Sequence, residues 1–148
     1  MKIALACDHG AYALKEKIKG WLQTAGHEVR DFGCYSTESV DYSDYAFPAA
    51  EAVAKGEADR AVLICTTGIG VSISANKVRG VRCALCTDTM TAHLTREHND
   101  TNALALGAGV VGENLAKEIL FTWLSTPFSG AERHRRRIDK ISAYESKH

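Results

Sequence analysis

The chain has 148 residues, 45% of them hydrophobic, which is the size and content of a single domain (residues 1–148) with one continuous core and no linkers. Its 18 Lys and Arg balance 18 Asp and Glu, so net charge draws it neither to nucleic acid nor to an anionic membrane surface. The opening run Met-Lys-Ile-Ala-Leu-Ala-Cys-Asp-His is too short for a signal peptide, and no stretch reaches the length of a membrane span, so a cytoplasmic protein is expected.

Short apolar runs alternate with amphipathic segments, the pattern of a parallel sheet with helices on both faces. Strands are predicted over residues 2–7, 28–32, 60–65, 81–86 and 102–106. Helices are predicted over 13–24, closed by Gly26, then 44–55, closed by Gly56, then 71–77 and 89–97. Two further helices follow, about 113–124 and 131–145. The expected fold class is α/β, a three-layer Rossmann-like fold with a five-stranded parallel sheet flanked by helices. Residues 32–45 form the one longer irregular connection.

Five cysteines, Cys7, Cys34, Cys65, Cys83 and Cys86, form an odd set that does not suit a disulfide framework. Cys83 and Cys86 make a C-x-x-C, a spacing used in redox and zinc sites. Here it falls inside a strand-like run with no second metal pair nearby, so both read as small apolar residues.

In open α/β sheets, ligands bind beyond the carboxyl ends of the strands. That rule selects Asp8 and His9, Asp41 and Tyr42 in the long connection, the segment from Cys65, and Thr87 and Asp88. The run Cys65-Thr66-Thr67-Gly68-Ile69-Gly70 follows a strand and opens a helix, where backbone N–H groups converge on a negative oxygen. Such a turn serves structure as readily as anion binding. It is neither a dinucleotide fingerprint, because the G-x-G-x-x-G spacing is absent, nor a P-loop, because no Gly-Lys-Ser/Thr follows. A cysteine at its mouth is a credible base or nucleophile, since the local field and donors favour thiolate.

His98 and Asn99, in the polar run 96–102, are expected in a loop reaching the same edge, where a histidine can serve as acid or base. As bare sequence the run is equally a solvated helix end. Arg133 and Arg137, four apart in Arg133-His134-Arg135-Arg136-Arg137, share a helical face and suit two guanidinium groups closing on one phosphate. Runs of this kind are more often plain solvated surface.

Taken together, Cys7-Asp8-His9, Asp41-Tyr42, the run 64–70, residues 74–77 and Glu97-His98-Asn99-Asp100-Thr101-Asn102 resemble the type-B ribose-5-phosphate isomerases over nearly the whole chain. The resemblance implies reversible isomerisation of D-ribose 5-phosphate and D-ribulose 5-phosphate through an enediolate, with no metal and no cofactor. It makes Cys65 the base at the sugar's second carbon and His98 the donor that opens the ring. Thr67 and the amides of Thr66, Thr67, Gly68, Ile69 and Gly70 would hold the enediolate. Asp8, His9 and Tyr42 would hold the sugar, Asn99 the opened chain, and Arg133 and Arg137 the phosphate.

The same resemblance implies a homodimer or homotetramer with sites at the subunit interface, to which the helix over 131–145 contributes. Many members carry glycine where this chain has Thr66 and arginine where it has Gly109, and some use a glutamate base at the position of Gly70. Six-carbon substrates, allose 6-phosphate or galactose 6-phosphate, are the neighbouring alternative. A phospho-sugar-binding module without chemistry is the alternative from another class.

Overall fold

Along the central strands large and small apolar side chains alternate, and the alternation decides which helices pack on which face. The structure, a computed structural model, describes all 148 residues. Five parallel strands, β1 (Lys2–Cys7), β2 (Glu28–Asp31), β3 (Arg60–Cys65), β4 (Cys83–Leu85) and β5 (Ala103–Gly107), form one sheet in the order β2-β1-β3-β5-β4. Six helices accompany them: α1 (Tyr12–Thr24), α2 (Tyr42–Ala54), α3 (Ile69–Ala75), α4 (Thr89–Asn99), α5 (Glu113–Ser125) and α6 (Glu132–Lys147).

One face of the sheet presents Ile3, Leu5, Val62, Ile64, Leu104 and Leu106 to α1, α4 and α5, with Trp123 fully buried among them. The other presents Ala4, Ala6, Ala61, Ala103 and Ala105 to Ala46, Ala49 and Ala50 of α2 and to Val71 and Ala75 of α3. Small residues on both sides let these two helices lie close to the strands. β1 therefore leads into a helix on the first face and β3 into one on the second. The crevice between their carboxyl ends is the switch point where ligands settle in doubly wound sheets.

The five strands and six helices stand where the residue pattern places them, and three details differ. The fourth strand covers only Cys83–Leu85, because the Arg82 N–H turns to the Asn102 side chain at 2.8 Å. Tyr42 is not in the long connection but is the first residue of α2. A single 3-10 turn over His9–Ala11, capped by Asp8, precedes α1 and has no periodic signal to announce it.

Beneath the long connection lies a fully buried ammonium. Lys15 Nζ donates to both Asp31 carboxylate oxygens at 2.9 and 3.0 Å and to the Cys34 carbonyl at 2.7 Å. Burial by itself raises the Asp31 carboxyl, but the Lys15 ammonium, the Gly33 N–H and Lys19 outweigh it and hold the group below its ordinary value. For Lys15 burial works downward and is likewise outweighed by Asp31, so its value stands above the ordinary one. The depressed carboxyl stabilises the fold above its unfolded value and loses that as pH falls through the folded one. The raised ammonium stabilises below its unfolded value and loses that as pH rises through the folded one. Asp31→Asn leaves the ammonium with only the half-exposed Glu16 carboxylate, 3.2 Å away, and is expected to cost about 3 kcal/mol at neutral pH. Denaturant titration checks this, and the variant should also lose stability less steeply than the parent in acid; a loss under about 1 kcal/mol would contradict it.

Candidate active site

At the carboxyl end of β3 the chain cannot continue straight. Gly68 turns with φ +78, and a Cβ there would lie 2.4 Å from Leu85 Cδ1 and 2.9 Å from the Leu106 carbonyl carbon. Only glycine meets both demands. The turn brings the Gly68 N–H to 3.1 Å from Cys65 Sγ, and Cys65 is 4% exposed. The sulfur thus faces a fixed N–H donor within the turn. The Ile69 N–H donates to Thr67 Oγ1 at 3.2 Å. Of the five amides expected to face a ligand, those of Gly68 and Ile69 are therefore engaged inside the turn, and those of Thr66, Thr67 and Gly70 have no partner within the chain.

The surrounding elements crowd this turn. The Tyr42 ring lies over Gly70, where a Cβ would come within 2.7 Å of it. A glutamate cannot stand at position 70 unless that ring moves. Thr66 fills the gap between two glycines: its Oγ1 would be 2.3 Å from a Cβ at Gly10, and its Cγ2 3.1 Å from one at Gly109. A side chain at 109 would crowd both the Thr66 methyl and the Thr66 carbonyl oxygen.

From β1, the nearly buried Asp8 accepts the Gly10 N–H at 3.0 Å and so shapes the 3-10 turn that carries His9. The Val40 N–H donates to His9 Nδ1 at 3.1 Å, which places the neutral ring's proton on Nε2 as a free donor. Asp8, His9, Tyr42 and the run Cys65–Gly70 thus share one edge of the sheet.

His98, Asn99, Arg133 and Arg137 do not join them. α4 starts beyond the carboxyl end of β4 and runs back beside the sheet, so its last residues, His98 and Asn99, lie at the opposite edge. Bonds to the strand beginnings confirm the placement: Arg82 Nε donates to the Asn99 carbonyl at 3.0 Å, and the Ala61 N–H to the Asn102 carbonyl at 2.9 Å. The expected loop is instead the last turn of a helix, closed by Asp100 with φ 45. About 16 Å of helix separates the two ends.

α6 begins at this second edge. Arg136 pairs with Glu132 at 2.7 Å, while Arg133 and Arg137 form no salt bridge. His134, the one buried residue of α6, stacks on His98 with ring centroids 4.2 Å apart. His134, Gly10 and Gly107 carry no separate signal in the sequence, since the first is hidden in a basic run and the glycines are recognisable only by what they touch.

Cys83, Cys7 and Cys86 are held protonated. Burial and then Cys86 push the Cys83 thiol up to about 12, and burial raises Cys7 and Cys86.

The model of the ribose/galactose isomerase family matches residues 3–141. The chain is 47% identical over 146 residues to ribose-5-phosphate isomerase B of Escherichia coli, covering 99% of this chain and 97% of that one. It is 41% identical to D-erythrulose-4-phosphate isomerase of Pectobacterium atrosepticum, with 98% and 95% covered. The structure of ribose-5-phosphate isomerase B from Clostridium thermocellum superposes with a TM-score of 0.97 at 52% identity, over 99% of each chain.

The glycine contacts make a paired expectation. A Cβ at Gly107 meets the Thr67 backbone at 2.6 Å, whereas one at Gly109 meets the Thr66 methyl and the Thr66 carbonyl oxygen, each at 3.1 Å. Gly107→Ala should cost about 2 kcal/mol in denaturant titration, with no relief from Thr66→Gly. Gly109→Ala should cost less and be partly relieved by Thr66→Gly. Equal coupling of both glycines to Thr66 would contradict the geometry.

Proposed function

The chain belongs to the ribose/galactose isomerase family and is an isomerase, and from that premise we propose that it interconverts D-ribose 5-phosphate and D-ribulose 5-phosphate. The observation that carries the reading is the Cys65 sulfur under the Gly68 N–H, at the switch crevice beside Asp8 and His9.

Cys65, as thiolate, takes the proton from the second carbon of the open aldose. Charge develops on the first oxygen, and the free N–H groups of Thr67 and Gly70 with the Thr67 hydroxyl are the donors that hold it. The hydroxyl proton then passes from the second oxygen to the first, and the Cys65 thiol returns a proton to the first carbon. Asp8 and the His9 Nε2–H hold sugar hydroxyls, and Tyr42 walls the pocket. Before this, His98 supplies a proton to the ring oxygen so that the furanose opens, and Asn99 steadies the extended chain. Arg133 and Arg137 hold the phosphate as a pair of forks.

These roles need two copies of the chain. Cys65 and His98 stand at opposite sheet edges of one copy, so His98, Asn99, Arg133 and Arg137 of one copy close over the Cys65 turn of another. α6, exposed along most of its length, lies between the copies. Phosphorylated sugars do not cross membranes unaided, which agrees with a cytoplasmic location.

A substrate of another length is the second reading. The erythrulose-4-phosphate relative has a four-carbon substrate by name, and Thr66 narrows the crevice between Gly10 and Gly109. The crowding by Thr66 favours the shorter sugars, while a 38%-identical relative, galactose-6-phosphate isomerase subunit LacB of Clostridium acetobutylicum, has a six-carbon substrate by name and keeps galactose 6-phosphate and allose 6-phosphate within this second reading.

The deciding experiment follows ribose 5-phosphate in heavy water. Ketose should form with deuterium at its first carbon, and Cys65→Ala should lose about a thousandfold or more of this rate. Cys83→Ala should stay within about twofold of the parent, because its thiol is held protonated. A protein that only binds sugar phosphate would give neither ketose nor deuterium, and equal loss in Cys83→Ala would move the base to the C-x-x-C.

A further inference from the structure

Resting on that reading for the role of His98, we infer that His134 is a positioning residue that clamps the His98 imidazole, ring against ring, in the orientation for proton transfer. Along α6 every other side chain is partly or fully exposed, yet His134 is 4% exposed. Its ring lies against that of His98, at 4.2 Å between centroids and 35° between planes.

The clamp is itself anchored. His134 Nδ1 lies 2.7 Å from Ser129 Oγ, and the same oxygen accepts the Ala131 N–H at 3.1 Å. The Ser129 N–H donates to the Glu97 carbonyl at 3.0 Å, which ties the loop before α6 to the residue preceding His98. Backbone and side chain thus fix His134 relative to α4 on two sides.

His98 has no comparable anchor of its own. Its side chain is 41% exposed, and its one polar neighbour is the Glu97 carboxylate at 3.6 Å from Nε2. That carboxylate is shared with His93 Nε2 at 3.3 Å. Without the His134 face the imidazole can rotate about two side-chain torsions, and a misplacement of about 1 Å at a reacting group costs on the order of a hundredfold in rate.

The choice of histidine for this clamp also has an electrostatic reason. His134 faces His98 and Glu97 from α4 and Arg133 and Arg137 from its own helix. Burial first, then His98 and the two arginines, hold it below its ordinary value against the pull of Glu97. A neutral ring stacks on His98 without opposing the proton that His98 must carry.

The test compares two aldose phosphates. Ribose 5-phosphate closes to a furanose; erythrose 4-phosphate cannot, because its fourth oxygen carries the phosphate, so it needs no ring opening. His134→Ala should lower kcat on ribose 5-phosphate about tenfold or more, with KM within about threefold, and leave the four-carbon sugar within about threefold. His134→Phe keeps the face and should recover most of the loss, while Ser129→Ala should give a smaller loss confined to the cyclic sugar. Equal losses on both sugars, or a phenylalanine variant no better than alanine, would overturn the inference.

If His134→Ala does not fold, His134→Phe and Ser129→Ala decide between the same outcomes. If the parent turns over neither sugar, the proposed function fails, and NMR of the His98 ring still tests the clamp. Contacts between the His98 ring protons and Glu97 should be averaged out in His134→Ala and kept in His134→Phe. A His98 ring equally ordered in all variants would overturn it.

Discussion

A helix that leaves the carboxyl edge of a parallel sheet must return to the amino edge before the next strand can begin. In this chain that constraint sends His98 and Asn99 to the far end of α4, away from Cys65, and starts α6 with Arg133 and Arg137 beside them. No side-chain movement spans a helix of eleven residues. The chain thus carries two separated groups of polar residues: a sulfur in a turn of amides at one edge, and imidazoles and guanidinium groups at the other, which the proposed function reads as two halves of one site. On that reading a second copy is needed to join them, and α6, exposed along most of its length, is free to lie between the two.

The half-site at the carboxyl edge is built by exclusion. Gly68 permits the turn, Gly107 admits the Thr67 backbone, and Gly70 leaves room for the Tyr42 ring. The buried Lys15–Asp31 pair secures the connection that leads to Tyr42 by holding the Cys34 carbonyl. Together these contacts limit where Thr67 and Tyr42 can stand. In such a site the chemistry needs one base and a few fixed donors, and most of the residues nearby serve to keep those donors still.

Much of this was legible in the residues. Alternating Ile, Leu and Val with Ala marked the central strands, and Gly26 and Gly56 marked helix ends by their need for positive φ. The Cys65–Gly70 turn was recognisable because strand, glycine and helix meet there. The edge occupied by His98 was misjudged, although the rule that decides it was available: residues just before a parallel strand lie at the amino edge. Tyr42 as the start of α2 and the 3-10 turn at His9 were not legible, since neither has a period to detect. The contact between Thr66 and Gly109 was not legible either, since only the fold brings the two together.

Mixing two inactive variants tests the divided site most directly. Cys65→Ala and His98→Asn each disable a different half, so a hybrid of the two has one site with both lesions and one with none. When the variants are denatured together in equal amounts and refolded as dimers, activity should return to about a quarter of the parent's. Refolding either variant alone should restore none. If the mixture stays as inactive as its components while hybrids are shown to form, Cys65 and His98 act within one copy and the account of a shared site is wrong.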